Sequence, residues 1–138
     1  MLMKMVDGLL NGNYYRTAYN KIISDMLLKQ DDLPPWFEYP DELNILIKQK
    51  LLDFDPWIIL TGDRLKLKYQ GILKRYPNRA LIPFARREDN DDVACFEKVF
   101  RVVIIHDFAS SGSEGGENGW TFWEWFKKCI DDMIEYNS

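Results

Sequence analysis

The side chains best equipped for chemistry are a single histidine, His106, two cysteines, Cys95 and Cys129, and the carboxylate-rich stretch REDNDD at residues 87–92. A thiolate beside an imidazole makes a nucleophile and base, and Asp107 directly after His106 suggests the third member of a hydrolytic triad. Spacing argues against both. If a turn near residues 98–100 joins two strands, His106 pairs with Asp91 or Asp92 and Cys95 with Val102 or Val103. About three residues, roughly 10 Å, then separate thiol from imidazole, and the adjacent His106 and Asp107 point to opposite faces of their strand. Glu88, Asp89, Asp91 and Asp92 are hard oxygen donors suited to calcium, yet the stretch lacks the alternating spacing, glycine and distant glutamate of an EF-hand loop. The expectation is a chain with no catalytic, cofactor-binding or metal residues. The acidic cluster then reads as a solvated turn between strands, or as a surface for a basic partner.

The elements that must position this turn follow from periodicity. In NYYRTAYNKIISDMLLKQ, residues 13–30, apolar side chains recur at helical spacing from Tyr15 to Leu27, with Asn13 as N-cap. The prolines of DDLPPWFEYP end that helix, and Trp36 and Phe37 are expected to fold back as packing anchors. A second helix begins at Pro40, carries Leu43, Leu46, Ile47 and Leu51 on one stripe, and ends near Asp53. PWIIL, bounded by Pro56 and Gly62, reads as a strand. Leu65, Tyr69, Ile72, Leu73 and Tyr76 return to helical spacing, and Arg64, Lys66, Lys68, Lys74 and Arg75 give that helix a basic outer face, a solvated surface or a contact for RNA or an acidic protein.

ALIPFA, DVACFE and RVVIIHDF follow too closely for helical crossovers and predict an antiparallel meander with both faces covered. The turn KVF has none of the Gly, Asn or Asp residues that set a hairpin register. SSGSEGGENG, residues 110–119, has no apolar side chain and is expected to be a surface loop; without the basic and hydroxyl ending of a phosphate loop, it does not predict nucleotide binding. Thr121 and Glu124 form a capping box for a final helix, with Trp120 and Trp125 as its staple and Trp123, Phe126, Ile130 and Met133 on one face.

The bulk numbers bound the alternatives. A length of 138 residues suits one domain, and 46% hydrophobic with 14% aromatic residues suits a packed core. A formal charge of -4 disfavours nonspecific attraction to nucleic acid or anionic membranes. The opening MLMKMVDGLL lacks the apolar run of a secretory signal, no stretch is long enough for a spanning helix, and the cytoplasm is the expected location. Two cysteines in apolar contexts read as buried thiols.

Taken together, LIPFAR, the Asn/Asp-containing turn, DVACFE, RVVIIHDF and the closing WTFWEWFKKCI resemble the SUKH superfamily, which includes bacterial immunity proteins and fungal regulators of cell-wall synthesis. The similarity runs from about Trp36 to Tyr136 and is strongest at Ile82, Pro83, Phe84, Ala85, Asp92 and Phe96. It implies an α+β domain, a mainly antiparallel sheet of four or more strands wrapped by about four helices, and no catalytic residues. Among bacterial members it implies an intracellular protein that binds and neutralises a cognate toxin, often a nuclease. Asn90 to Asp92 stand where the family usually has a glycine before the aspartate, and LLDFDPW stands where a glycine-rich helix ending is common, which puts the chain in a divergent branch.

The resulting expectation is one SUKH-like domain over residues 1–138, with residues 1–35 a helical N-terminal extension. Its function is that of an immunity protein, or antitoxin, occluding a nuclease toxin by protein–protein contact, with no cofactor and no direct contact to nucleic acid or membrane; a homo-oligomer is left open. Glu88, Asp89, Asp91 and Asp92, joined by Glu114 and Glu117, are the candidate partner-binding residues. The alternative is a non-catalytic regulatory scaffold that binds cellular proteins.

Overall fold

A computed structural model describes residues 24–98, 101–107, 113–114 and 119–138. The helix expected over residues 13–30 falls largely outside the described residues, as does most of the proposed N-terminal extension. The described chain forms an α+β fold. Six strands, β1 (Asp53–Phe54), β2 (Trp57–Ile59), β3 (Leu81–Arg87), β4 (Asp92–Glu97), β5 (Arg101–His106) and β6 (Ser113–Glu114), pair antiparallel in sequence order. Three α-helices lie wholly within the described residues, α1 (Asp41–Lys48), α2 (Gly62–Arg75) and α3 (Phe122–Tyr136), with helical residues at 24–26 and a 3-10 turn at Gln30–Asp32.

The meander takes one of the two registers that spacing allows: Asp92 opposite His106 and Cys95 opposite Val103. Glu97 stands opposite Arg101, so the sequence between them closes the hairpin without the usual turn residues. The burial pattern on both faces sets the pairing instead, because a slip of one residue would exchange the faces. One face contributes Ile82, Phe84, Ala94, Phe96, Val102 and Ile104 to the main core, which α1 and α3 close with Leu43, Leu46, Ile47, Phe122, Trp125 and Cys129. The other contributes Leu81, Val93, Cys95, Val103 and Ile105, packed with Ile72 of α2. Phe84 stacks on Phe96 at 4.3 Å and meets Trp125 edge-on at 4.8 Å. These geometries add quadrupolar attraction to the burial of large apolar area.

Within β3 the register shifts between Pro83 and Ala85: Pro83 pairs with Cys95, but Ala85 already pairs with Ala94. One extra residue in a strand reverses the facing of everything after it. Arg86 therefore shares a face with Val93, beneath α2, and Arg87 turns to the face of Trp57, its partner on β2. The proline contributes to this irregularity by withholding a ladder donor.

Several expectations need correction. α1 stops at Lys48 rather than near Asp53, because Lys50 adopts a left-handed conformation (φ 58°), and Leu51 lies outside the helix and exposed. The early stop leaves Asp53 and Phe54 free to form β1, a strand that the helical pattern concealed. Phe37 is a buried anchor, but Trp36 is 45% exposed, its ring meeting Phe37 edge-on from outside. In α3 the fully buried stripe is Phe122, Trp125 and Cys129, with Phe126, Ile130 and Met133 beside it; Trp123 is 47% exposed. Ser113 and Glu114, expected in a loop, pair with Ile105 and Ile104, because the open edge of β5 offers backbone partners whatever the side chains.

The capping box forms as its spacing predicts. Thr121 Oγ1 accepts from Glu124 N at 3.2 Å and Thr121 N donates to Glu124 Oε1 at 2.9 Å. The chain enters this cap through Gly119, whose positive φ (63°) and contact with Arg101 leave no room for a Cβ. Trp120 then makes two backbone hydrogen bonds with Val102, closing α3 down on the sheet.

Candidate functional site

The connection between β3 and β4 gathers four of the six predicted acids into one turn. Glu88, Asp89 and Asp91 are exposed, and Asp92 is half-buried. Asn90 Oδ1 accepts from Asp92 N at 2.8 Å, an Asx turn that fixes the loop without glycine. Arg87 grips Asp89 through two hydrogen bonds of 2.8 and 2.9 Å, and this donation holds the Asp89 carboxyl below the usual carboxylate range. Asp92 hydrogen-bonds His106 Nδ1 across the β4–β5 pair. Two of the four acids therefore have protein partners on the spot, and the Asp91 side chain has none among the described residues.

Arg87 also anchors the turn to the body of the protein. Its guanidinium lies 5.8 Å from the Trp57 ring centroid and donates to Asp132 of α3 at 3.2 Å. Asp132 accepts in addition from Trp57 Nε1 at 2.9 Å and Lys128 at 3.1 Å. Strand β2, strand β3 and helix α3 thus meet at one carboxylate, and the acidic turn grows from a rigid base.

The backbone of Glu114 lies away from the turn. Glu114 pairs with Ile104, two strands and two residues away from Asp92, about 12 Å between backbones from strand geometry. Glu117 lies outside the described residues.

The chemistry-bearing residues elsewhere are dispersed. Cys95 and His106 occupy opposite faces of the sheet and are three register positions apart, so no thiol–imidazole pair is assembled. Burial pushes the Cys129 thiol up to about 12 and Cys95 higher still, which suppresses the thiolates that nucleophilic chemistry needs. Among the described residues, no group of three or more His, Cys, Asp and Glu side chains is arranged to hold a metal ion, and no helix is long and apolar enough to cross a membrane.

Asp107 points away from His106, as strand alternation predicts, and its burial is what the sequence does not reveal. It is wholly buried (0% exposed) on the α2 side of the sheet, where Arg75 makes two bonds to it of 2.7 and 2.6 Å and Lys68 approaches to 3.5 Å. Arg75 and Lys68, expected on the basic outer face of α2, turn inward because a buried carboxylate attracts them. The spacing of Arg64, Lys68 and Arg75, which places all three on one side of a helix, was the available signal. Gly71 belongs to the same arrangement: a Cβ there would come within 2.8 Å of Arg75 Nη1. A helix-weakening glycine thus makes room for the guanidinium that reaches Asp107.

No family model matches this chain, and neither does any curated protein or solved structure.

Proposed function

We propose that this protein is a SUKH-like immunity protein, an intracellular antitoxin that neutralises a cognate toxin, a nuclease by preference, through protein–protein occlusion. The observation that carries the reading is the acidic β3–β4 turn, its backbone fixed by an Asx bond and its base tied by Arg87 to Trp57 and Asp132. A nuclease must present cations to the phosphates it binds, and a pre-formed carboxylate turn is complementary to such a surface. Electrostatic complementarity of this kind raises association rate and selectivity more than affinity. Rigidity reduces the ordering entropy lost on binding. Glu88 and Asp91 are the principal contacts in this reading, with Asp89 and Asp92 shared between the partner and their internal cations. The resemblance of LIPFAR and DVACFE to the superfamily supports the same assignment.

Co-expression with the toxin domain encoded beside its gene tests the reading: survival and co-purification of the two chains are expected. Glu88→Gln combined with Asp91→Asn should slow capture about tenfold at low salt and flatten its salt dependence. Survival without a complex, or affinity capture that returns only housekeeping proteins, would reject neutralisation by occlusion in favour of a regulatory scaffold.

A further inference from the structure

The face of the sheet under α2 carries a cleft that plays no part in the acidic turn's anchoring. It encloses about 410 Å³, a size that suits a small ligand, with Leu60 and Leu67 as apolar wall. Arg64, Lys68 and Arg75 line it from α2. Arg86 enters from the sheet, placed on this face by the register shift in β3. Among the described residues two carboxylates stand beside these cations: Asp107, which bonds Arg75 and Lys68, and the exposed Glu88 at the cleft wall. Among the described residues neither Arg64 nor Arg86 has an ion-pair partner, and Arg86 Nε is buried with no acceptor from the protein.

We propose that this cleft binds a small phosphate monoester, its dianionic phosphate seated against Arg64 and Arg86 and its organic group against Leu60 and Leu67. The two guanidinium groups of Arg64 and Arg86 match the charge of a phosphate dianion. Planar guanidinium donors suit phosphate oxygens, and a phosphate oxygen would supply the acceptor that Arg86 Nε lacks. The volume extends beyond a lone phosphate, and the apolar wall favours an esterified group over the free anion. Anchoring Arg75 on Asp107 keeps one cation of the cleft in place without ligand, so less order is imposed on binding.

Titration calorimetry and thermal shift on the full chain test this at constant ionic strength, with inorganic phosphate, ribose 5-phosphate and adenosine monophosphate as probes. A saturable, one-to-one interaction with at least one monoester is expected, tighter than with inorganic phosphate. Arg86→Met and Arg64→Gln should each weaken it by about tenfold or more, the loss of a charge-assisted hydrogen bond. Arg64 is exposed on a helix, so its variant keeps the test valid if Arg86→Met fails to fold. Lys66→Gln, on the same helix but outside the cleft lining, should leave binding unchanged. Failure of all three probes to saturate would overturn the proposal, as would equal weakening by Lys66→Gln or binding only of a long acidic peptide. A preference for inorganic phosphate over both monoesters would overturn the assignment of the apolar wall.

Discussion

Replacing Arg75 by Met should destabilise the protein more than replacing Asp107 by Asn, although both break the same ion pair. Arg75 supplies two charge-assisted hydrogen bonds, at 2.7 and 2.6 Å, to a carboxylate with no solvent exposure. Methionine preserves much of the apolar stem but leaves that carboxylate with Lys68 alone, at 3.5 Å. Removing one partner of a buried pair costs about 3–5 kcal/mol, chiefly because the other charge stays desolvated. Asp107→Asn instead removes a charge from beside two cations that are not sealed off: the side chains of Arg75 and Lys68 are 29% and 17% exposed. Both can turn towards water, and the amide oxygen still accepts from Arg75, so the cost should be about 1–2 kcal/mol, within the range for one weakened hydrogen bond to a charged group. The double variant should cost less than Arg75→Met alone, because it removes the stranded charge. Guanidinium denaturation followed by tryptophan fluorescence reads all three values, with the buried Trp57 and Trp125 as reporters. An Arg75→Met cost below about 1 kcal/mol, or a double variant whose cost is the sum of the singles, would refute the placement of a buried charge at Asp107.

Three further outcomes are expected. Burial raises the Glu97 pKa, but the hydrogen bonds from Arg79 and Arg101 outweigh it and leave the carboxyl below its usual range. A depressed folded value means that the unfolded chain binds the proton first, so this stabilisation is present above about pH 4 and lost as pH falls through the folded value; chemical denaturation of wild type and Glu97→Gln should converge below pH 4, and parallel curves would sink the idea. Both cysteines are fully buried with raised pKa values, Cys129 to about 12, so Ellman's reagent at pH 8 should find no reactive thiol in the native protein and two in denaturant; rapid native labelling would contradict the packing. Asp132→Ala should cost about 2–3 kcal/mol by thermal or chemical denaturation, since it leaves the fully buried Trp57 indole N–H without its acceptor; a change within 0.5 kcal/mol, roughly the scatter for an ordinary surface site, would argue against that bond.

Much of the scaffold was legible because local rules agreed with the tertiary environment. The meander could be read from three apolar runs too close for crossovers, but the uninformative KVF turn left its register between two adjacent pairings, and the folded sheet selects one of them. The capping box needed only Thr121 and Glu124 at the right spacing. Errors arose where side-chain character and environment diverged. Leu51 continued a helical stripe, but the backbone had already turned at Lys50; Trp123 fell on the expected apolar face, but the helix is rotated to bury Trp125 and Cys129. The acidic turn was visible as composition. Its internal neutralisation was not, since Arg87 could equally have faced solvent.

The amino-acid order by itself determined the local periodicities, the strand sequence of the meander, the helix cap and the burial of two thiols, because each depends on neighbours within a turn of helix or a span of strand. Only the folded arrangement decided which cations serve which anions. A single extra residue after Pro83 sends Arg86 beneath α2 and Arg87 to Trp57 and Asp132, and the end of β5 sinks Asp107 where Arg75 and Lys68 must follow. Charge partners are chosen by proximity in space and by exclusion of water, and those quantities exist only after the sheet and helices have met.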